Sequence, residues 1–144
     1  STGYEFIAQG ALYYLIGTIL ENQLYVKNNK YTKKTKERFL QLKNVITLIE
    51  NEYHNPLTLE DLSKASGMSP KYFCRFFHEM INKTPIEYLN YYRIEISCEK
   101  LIATELSITE IALNCGFNDV SYFIKTFKKH KGLTPKQYLK SLKA

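Results

Sequence analysis

Cysteine is scarce: Cys74, Cys98 and Cys115 are the only three, an odd number with no C-x-x-C and no paired spacing. That pattern excludes a disulfide framework and reads as reduced thiols in a cytoplasmic protein. No stretch reaches the roughly 18 apolar residues of a membrane span. No secretory signal pattern opens the chain. Catalytic signatures are missing too: there are no paired carboxylates, no nucleophile beside a base and no phosphate loop. Ser121 has no His–Asp constellation around it. His78 and His130 lack a ligand partner at metal spacing and read as surface histidines. Cys74 reads as an ordinary thiol rather than a redox switch. Nothing points to an enzyme, a metal or a cofactor.

Positive charge is what the chain has in excess: 20 Lys and Arg against 14 Asp and Glu, a net +6. It is unevenly placed. Residues 27–38 hold Lys27, Lys30, Lys33, Lys34, Lys36 and Arg38 against Glu37 alone. Residues 106–144 hold seven Lys against Glu110 and Asp119, whereas residues 57–100 balance at six of each sign. Basic segments of this kind suit a polyanionic partner; on charge alone a merely solvated surface is the commoner meaning.

A stretch of the sequence occurs twice. Residues 57–89, LTLEDLSKASGMSPKYFCRFFHEMINKTPIEYL, align with residues 106–139, LSITEIALNCGFNDVSYFIKTFKKHKGLTPKQYL, at an offset of 49 before the turn and 50 after it. Gly67 then matches Gly116, Tyr72-Phe73 match Tyr122-Phe123, Phe77 matches Phe127, and Thr84-Pro85 match Thr134-Pro135. Two copies make a duplicated unit, not a solenoid, which needs three or more.

Each copy carries the signals of two short helices around a tight turn. In the first, Thr58 with Asp61 forms a capping box and Gly67 supplies a positive φ past the helix end. Ser69-Pro70 caps and opens a second helix. There Phe73, Phe76, Phe77 and Met80 face inward, and Lys71, Cys74, Arg75 and His78 face out. In the second copy Ser107 with Glu110, Gly116, and Asn118 or Asp119 play the same parts, with Phe123 and Phe127 inward. Helix pairs of this form are the helix-turn-helix arrangement. Thr84-Pro85-Ile86-Glu87 launches a helix to about Ala103 with no Pro or Gly to kink it, roughly 27 Å long. Gly132 closes the second copy, and Thr134-Pro135 with Gln137 starts a last helix to about Leu142.

Ahead of the copies, residues 37–53 read as a helix with Phe39, Leu42, Val45, Ile46, Ile49 and Tyr53 on one stripe, ended by Asn55-Pro56. Residues 25–36 read as a basic linker. In residues 4–24, Leu12, Leu15, Ile16, Ile19, Leu20 and Leu24 recur at helical spacing, and Ala11–Leu20 is apolar nearly all round. A helix like that is not stable alone in water. It is expected to pack on the following domain or, in preference, on a copy of itself, as a homodimer through residues 4–24, or on a preceding domain. A start at Ser1 rather than Met reads as a piece of something longer.

The run GFNDVSYFIKTFKKHKGLTP, with SITEIA before it, closely resembles the signature of the AraC/XylS family of bacterial transcription regulators. The spacing of Ile111-Ala112, Gly116-Phe117, Tyr122-Phe123, Phe127-Lys128 and Gly132-x-Thr134-Pro135 carries the resemblance, which covers about residues 40–142. It implies an all-α fold: two helix-turn-helix subdomains joined by a long central helix, here with an extra N-terminal helix. The divisions expected are 1–36, a tail helix and basic linker from a preceding regulatory or dimerisation region, and 37–144, the DNA-binding domain. The latter splits into a first helix-turn-helix (37–85), a linker helix (86–104) and a second helix-turn-helix (105–144).

The resemblance also implies sequence-specific binding to double-stranded promoter DNA and activation through RNA polymerase. It places base-reading positions on Lys71, Cys74 and Arg75 of the first copy and on Val120, Ser121, Tyr122 and Lys125 of the second. Arg75 suits a bidentate contact to guanine, while Cys74 and Val120 offer apolar contact. Tyr122 also reads as partly core. Backbone contacts fall on Lys83, Thr84, Lys128, Lys129 and Thr134, with helix N-termini beside them. Lys125 stands where the family usually has Arg. Asn82 replaces the usual Gly but tolerates the left-handed region. Ser97 replaces a small apolar residue, and Leu139 a common Arg. A central helix near the roughly 34 Å repeat of the duplex would let one chain read two successive major grooves. The competing reading is a protein-interaction module that uses the N-terminal helix and the basic surface.

Overall fold

In a computed structural model of the chain, the described residues are 9–10, 12–17 and 29–143. Every regular element among them is helical. The chain divides into two compact units, Ser1–Lys43 and Asn44–Ala144.

In the first unit residues 12–17 are helical, and Leu12, Tyr14 and Leu15 are exposed. Tyr13 is half-buried there, and burial pushes its hydroxyl up to about 12. Most of the 4–24 stretch lies outside the described residues.

Helix α1, Asn29–Glu52, starts well before residue 37. The apolar stripe begins only at Phe39, so periodicity marks no earlier start. Nothing in residues 29–38 forbids a helix, however: lysine is a good helix former, and neither Pro nor Gly interrupts. The stripe itself is as expected, with Leu42, Val45, Ile46 and Ile49 buried and Phe39 and Tyr53 half-buried.

The second unit continues through α2 (Leu59–Ser66), α3 (Pro70–Ile81), α4 (Pro85–Ala103), α5 (Ile108–Asn114), α6 (Val120–Lys131) and α7 (Pro135–Leu142). Four capping boxes set these starts: Thr58 with Asp61, Thr84 with Glu87, Ser107 with Glu110, and Thr134 with Gln137. In each, the hydroxyl accepts the amide of the third helical residue, whose side chain accepts the cap amide. The cap bonds hold the carboxyls of Asp61, Glu87 and Glu110 below their ordinary values. Ser69 departs from expectation. It occupies the cap position of α3 with extended backbone but makes no side-chain cap bond. Its counterpart Asp119 does, accepting the amides of Ser121 at 2.8 Å and Tyr122 at 3.4 Å. Asn82 ends α3 in the left-handed region at φ +61°, as its residue type allows.

Helix α4 packs against α2, α3, α5, α6 and α7. Sandwiched between two helix pairs, it is buried on most of its circumference. Tyr88, Leu89, Tyr91, Ile94, Cys98 and Leu101 are all inside, and so are Arg93, Glu95 and Ser97. On one side lie Leu62, Phe73, Phe76 and Phe77, with edge contact from Phe77 to Tyr88 at 5.7 Å. On the other, Ile94, Cys98 and Leu101 join Ile111, Ala112, Cys115, Phe117, Phe123 and Phe127 in one core. Leu139 packs against that core, which explains an apolar residue there. Ser97 is tolerated inside because its hydroxyl donates to the carbonyl of Ile94 at 2.6 Å. Burial raises the thiols of Cys98 and Cys115 to about 11, so both stay protonated at neutral pH.

Candidate nucleic-acid interface

The duplicated sequence folds into duplicated geometry. In each copy a short helix ends in a tight turn and a 12-residue helix follows, α3 in the first and α6 in the second. Each second helix turns its phenylalanines inward: Phe73, Phe76 and Phe77 from α3, Phe123 and Phe127 from α6. The helical period then puts the intervening polar residues on the opposite face.

On α3, Lys71, Arg75 and His78 are exposed and Cys74 is half-buried between them. On α6, Ser121, Tyr122 and Lys125 are exposed. Val120 is half-buried and packs against the second core, so its side chain divides between core and surface. Tyr122 is core only in part, as expected. It is 50% exposed, like its counterpart Tyr72 at 54%. Both stand one residue before an inward phenylalanine, which rotates them off the buried face. The Tyr122 ring leans on Phe117 with centroids 6.1 Å apart, and its hydroxyl accepts a hydrogen bond from Nδ2 of Asn90 at 3.1 Å.

The expected backbone-contacting residues gather partly at the middle of the unit. Lys83, which follows α3, lies over the ring of Tyr91 on α4 at 5.3 Å. The imidazole of His130, near the end of α6, packs on the same ring at 5.6 Å. His130 is thus half-buried rather than a free surface histidine. Burial first, and then Lys129, Lys83 and Lys131, push its pKa down, while Glu87 pulls the other way. The end of the first copy and the end of the second therefore bring their lysines to one place. Lys131 is ion-paired with the buried Glu95 and is held in the fold. Lys128 and Lys129 are exposed.

Thr84 and Thr134 each donate the amide and accept with the hydroxyl in their capping boxes at 2.8–3.2 Å. What each hydroxyl still offers an anion is its hydrogen. The amides at the start of α6 likewise face the carboxylate of Asp119, whereas no side chain caps α3.

Three residues that matter to the geometry were not legible as such. Asn90, Arg93 and Glu95 sit on α4 among apolar neighbours; Arg93 reaches the carbonyls of Tyr53 and Asn55, while Asn90 and Glu95 reach the two ends of α6 at Tyr122 and Lys131. The one available signal was charge at positions that a helix packed on both sides must bury. Among the described residues, no group of three or more His, Cys, Asp or Glu is placed to hold a metal. No described helix is long and apolar enough to cross a membrane.

Comparison with known proteins agrees with this geometry. A family model described as a helix-turn-helix domain matches residues 62–141. The uncharacterized HTH-type transcriptional regulator YdeC of Bacillus subtilis is 39% identical over 100 residues, covering 69% of this chain and 34% of YdeC. The chain thus spans about a third of that relative's length. The crystal structure of the C-terminal domain of the two-component response regulator yesN from Fusobacterium nucleatum is 38% identical with a TM-score of 0.63, covering 66% of this chain and 93% of that domain. A transcriptional regulator from Chromobacterium violaceum with an AraC-type DNA-binding domain is 27% identical with a TM-score of 0.65, over 70% of this chain and 90% of that one. Two capped helix-turn-helix copies on one shared helix, matched along their length by these relatives, place the chain in the AraC family of helix-turn-helix DNA-binding transcriptional regulators.

Proposed function

We propose that the chain binds double-stranded promoter DNA sequence-specifically and reads two successive major grooves, α3 in one and α6 in the next. The observation that carries this is the shared helix. α4 has 19 residues, about 28 Å at 1.5 Å per residue. It packs against both recognition helices. That length approaches the roughly 34 Å at which the major groove returns to one face of the duplex. The two copies differ in sequence, so the site need not be palindromic.

In this reading Lys71, Cys74 and Arg75 face the bases of one groove, and Val120, Ser121, Tyr122 and Lys125 those of the other. Lys83, Thr84, Lys128, Lys129 and Thr134 hold phosphates, the threonines through their remaining hydroxyl hydrogen. Transcription is activated through contact with RNA polymerase in the cytoplasm. The exposed Leu12, Tyr14 and Leu15 favour self-association through residues 4–24. Gel filtration with and without residues 1–36 tests that part.

Selection of bound duplexes from a random library, read at two salt concentrations, tests the whole. An asymmetric motif in two parts about one helical turn apart is expected. About six phosphate contacts should give a slope of log K against log salt near −5. Enrichment that is absent or insensitive to salt would favour the protein-interaction module instead.

A further inference from the structure

The charged side chain of Arg93 is buried in the middle of α4, 8% exposed. Its Nε donates to the carbonyl of Tyr53 and its terminal nitrogen to the carbonyl of Asn55, both at 2.8 Å. Its guanidinium lies 5.8 Å from the centre of the Phe117 ring. Gly116, in the turn of the second copy, comes so close that a Cβ there would meet Nε at 2.9 Å and the Tyr53 carbonyl at 2.4 Å. Three segments therefore meet on one guanidinium: the end of α1 leading into the first helix-turn-helix, the central helix, and the turn that starts the second reader. Asn90, one turn earlier on the same face of α4, holds the hydroxyl of Tyr122 on that reader.

A planar fork that donates to two carbonyls of one turn fixes direction as well as distance, which a lysine or an apolar side chain cannot. Burying a charge is costly without such partners, and the two carbonyls supply them. An apolar side chain would fill the same space without tying the segments together.

Resting on the reading that both copies contact DNA, we propose that Arg93, with Asn90, is a positioning residue. It sets the placement of α6 relative to the first copy and so the spacing between the two half-sites one chain accepts. A tied second reader tolerates one spacing. A loosened one tolerates several, even where each half-site is still read correctly.

The test uses the full chain and the duplex it enriches from a random library, together with versions carrying one or two base pairs inserted between the two parts. One inserted pair shifts the second half-site by about 3.4 Å and turns it by about 35°. The unaltered chain should lose about tenfold or more in affinity per insertion, since contacts worth 1–3 kcal/mol per base pair go out of register. Arg93→Met and Asn90→Ala should each cut that penalty to about threefold or less while single-base mismatches inside the half-site read by α3 cost what they did before. Penalties in both variants equal to the parent's, with affinity merely lowered on every duplex, would overturn the proposal and leave Arg93 a stabilising residue only. Should Arg93→Met fail to fold, Asn90→Ala, at a half-buried position, decides alone. A one-part motif from the unaltered chain would overturn the two-groove reading and this inference with it. A two-part motif whose spacing the variants do not relax would overturn only the inference.

Discussion

Gly116 and Tyr53 are in closer contact than any other residue could achieve at position 116: a Cβ there would stand 2.4 Å from the Tyr53 carbonyl oxygen. Gly116 also has φ +93°, in the region that side chains strongly disfavour. Its counterpart Gly67 has φ +73° but nothing within 4 Å of a built Cβ. The two glycines thus share the backbone demand and differ in crowding. Gly67→Ala should cost about 1 kcal/mol, from the left-handed conformation alone. Gly116→Ala should cost about 2–4 kcal/mol, because overpacking adds to it. Chemical denaturation of both variants measures the difference. Equal losses would mean that the Tyr53 carbonyl moves aside freely.

The caps make a second matched pair. Ser107 accepts the amide of Glu110 at 3.2 Å, and Glu110 accepts the amide of Ser107 at 2.8 Å. Ser69 occupies the same kind of position without a side-chain bond. Ser107→Ala should therefore destabilise by about 1 kcal/mol. Ser69→Ala should change stability by no more than about 0.5 kcal/mol, as at an ordinary surface position. Thermal or urea melts resolve the two. A large loss at Ser69 would show that its hydroxyl caps α3 in solution after all.

What could be read in the sequence was whatever the chain repeats or punctuates. Thr-Pro before α4 and α7, Gly67 and Gly116 at each turn, and phenylalanines at helical spacing all describe local chemistry. Each acts within a few residues of itself. What could not be read depends on partners far along the chain. Arg93 finds carbonyls 40 and 38 residues away, and Asn90 finds a hydroxyl 32 residues away. Sequence spacing carries no trace of such contacts. Ser63 and Ser66 are buried for a reason equally invisible to polarity: each hydroxyl donates to a carbonyl three residues back, at 2.9 and 2.6 Å. The early start of α1 leaves no mark in the sequence because a polar helix has no apolar period. Exposure of Tyr122 follows from its place beside Phe123, one residue off the buried face.

His130 makes stability depend on pH in a predictable direction. Burial and the lysines around it hold its pKa below the ordinary 6.5. The unfolded chain therefore binds the proton more readily than the folded one between those two values. Stability is then complete above about pH 6.5 and declines as the pH falls through the window below it. The capping carboxylates act lower, because Asp61, Glu87 and Glu110 start from ordinary values of 3.8 and 4.5 and are depressed further. Urea midpoints at about pH 7.5 and about pH 5.5 separate the two effects. The native chain should be weaker at the lower value, and His130→Gln should flatten the change. An unchanged slope in that variant would assign it to another group.

Arg75 and Lys128 are both exposed, but on different helices and with different proposed work. Arg75 stands on the outward face of α3, where a guanidinium can meet a guanine with two bonds. Lys128 stands in the last turn of α6, behind the residues that would face bases. Arg75→Ala should cost about 1–3 kcal/mol on the selected duplex and relax preference at one base pair, with little change on random DNA. Lys128→Ala should weaken binding to every duplex alike and reduce the salt slope by about one unit. Fluorescence anisotropy titrations on selected and scrambled duplexes at several salt concentrations distinguish them. Equal losses for Arg75→Ala on both duplexes would move that side chain to a phosphate. A loss for Lys128→Ala confined to the selected duplex would make it a base reader.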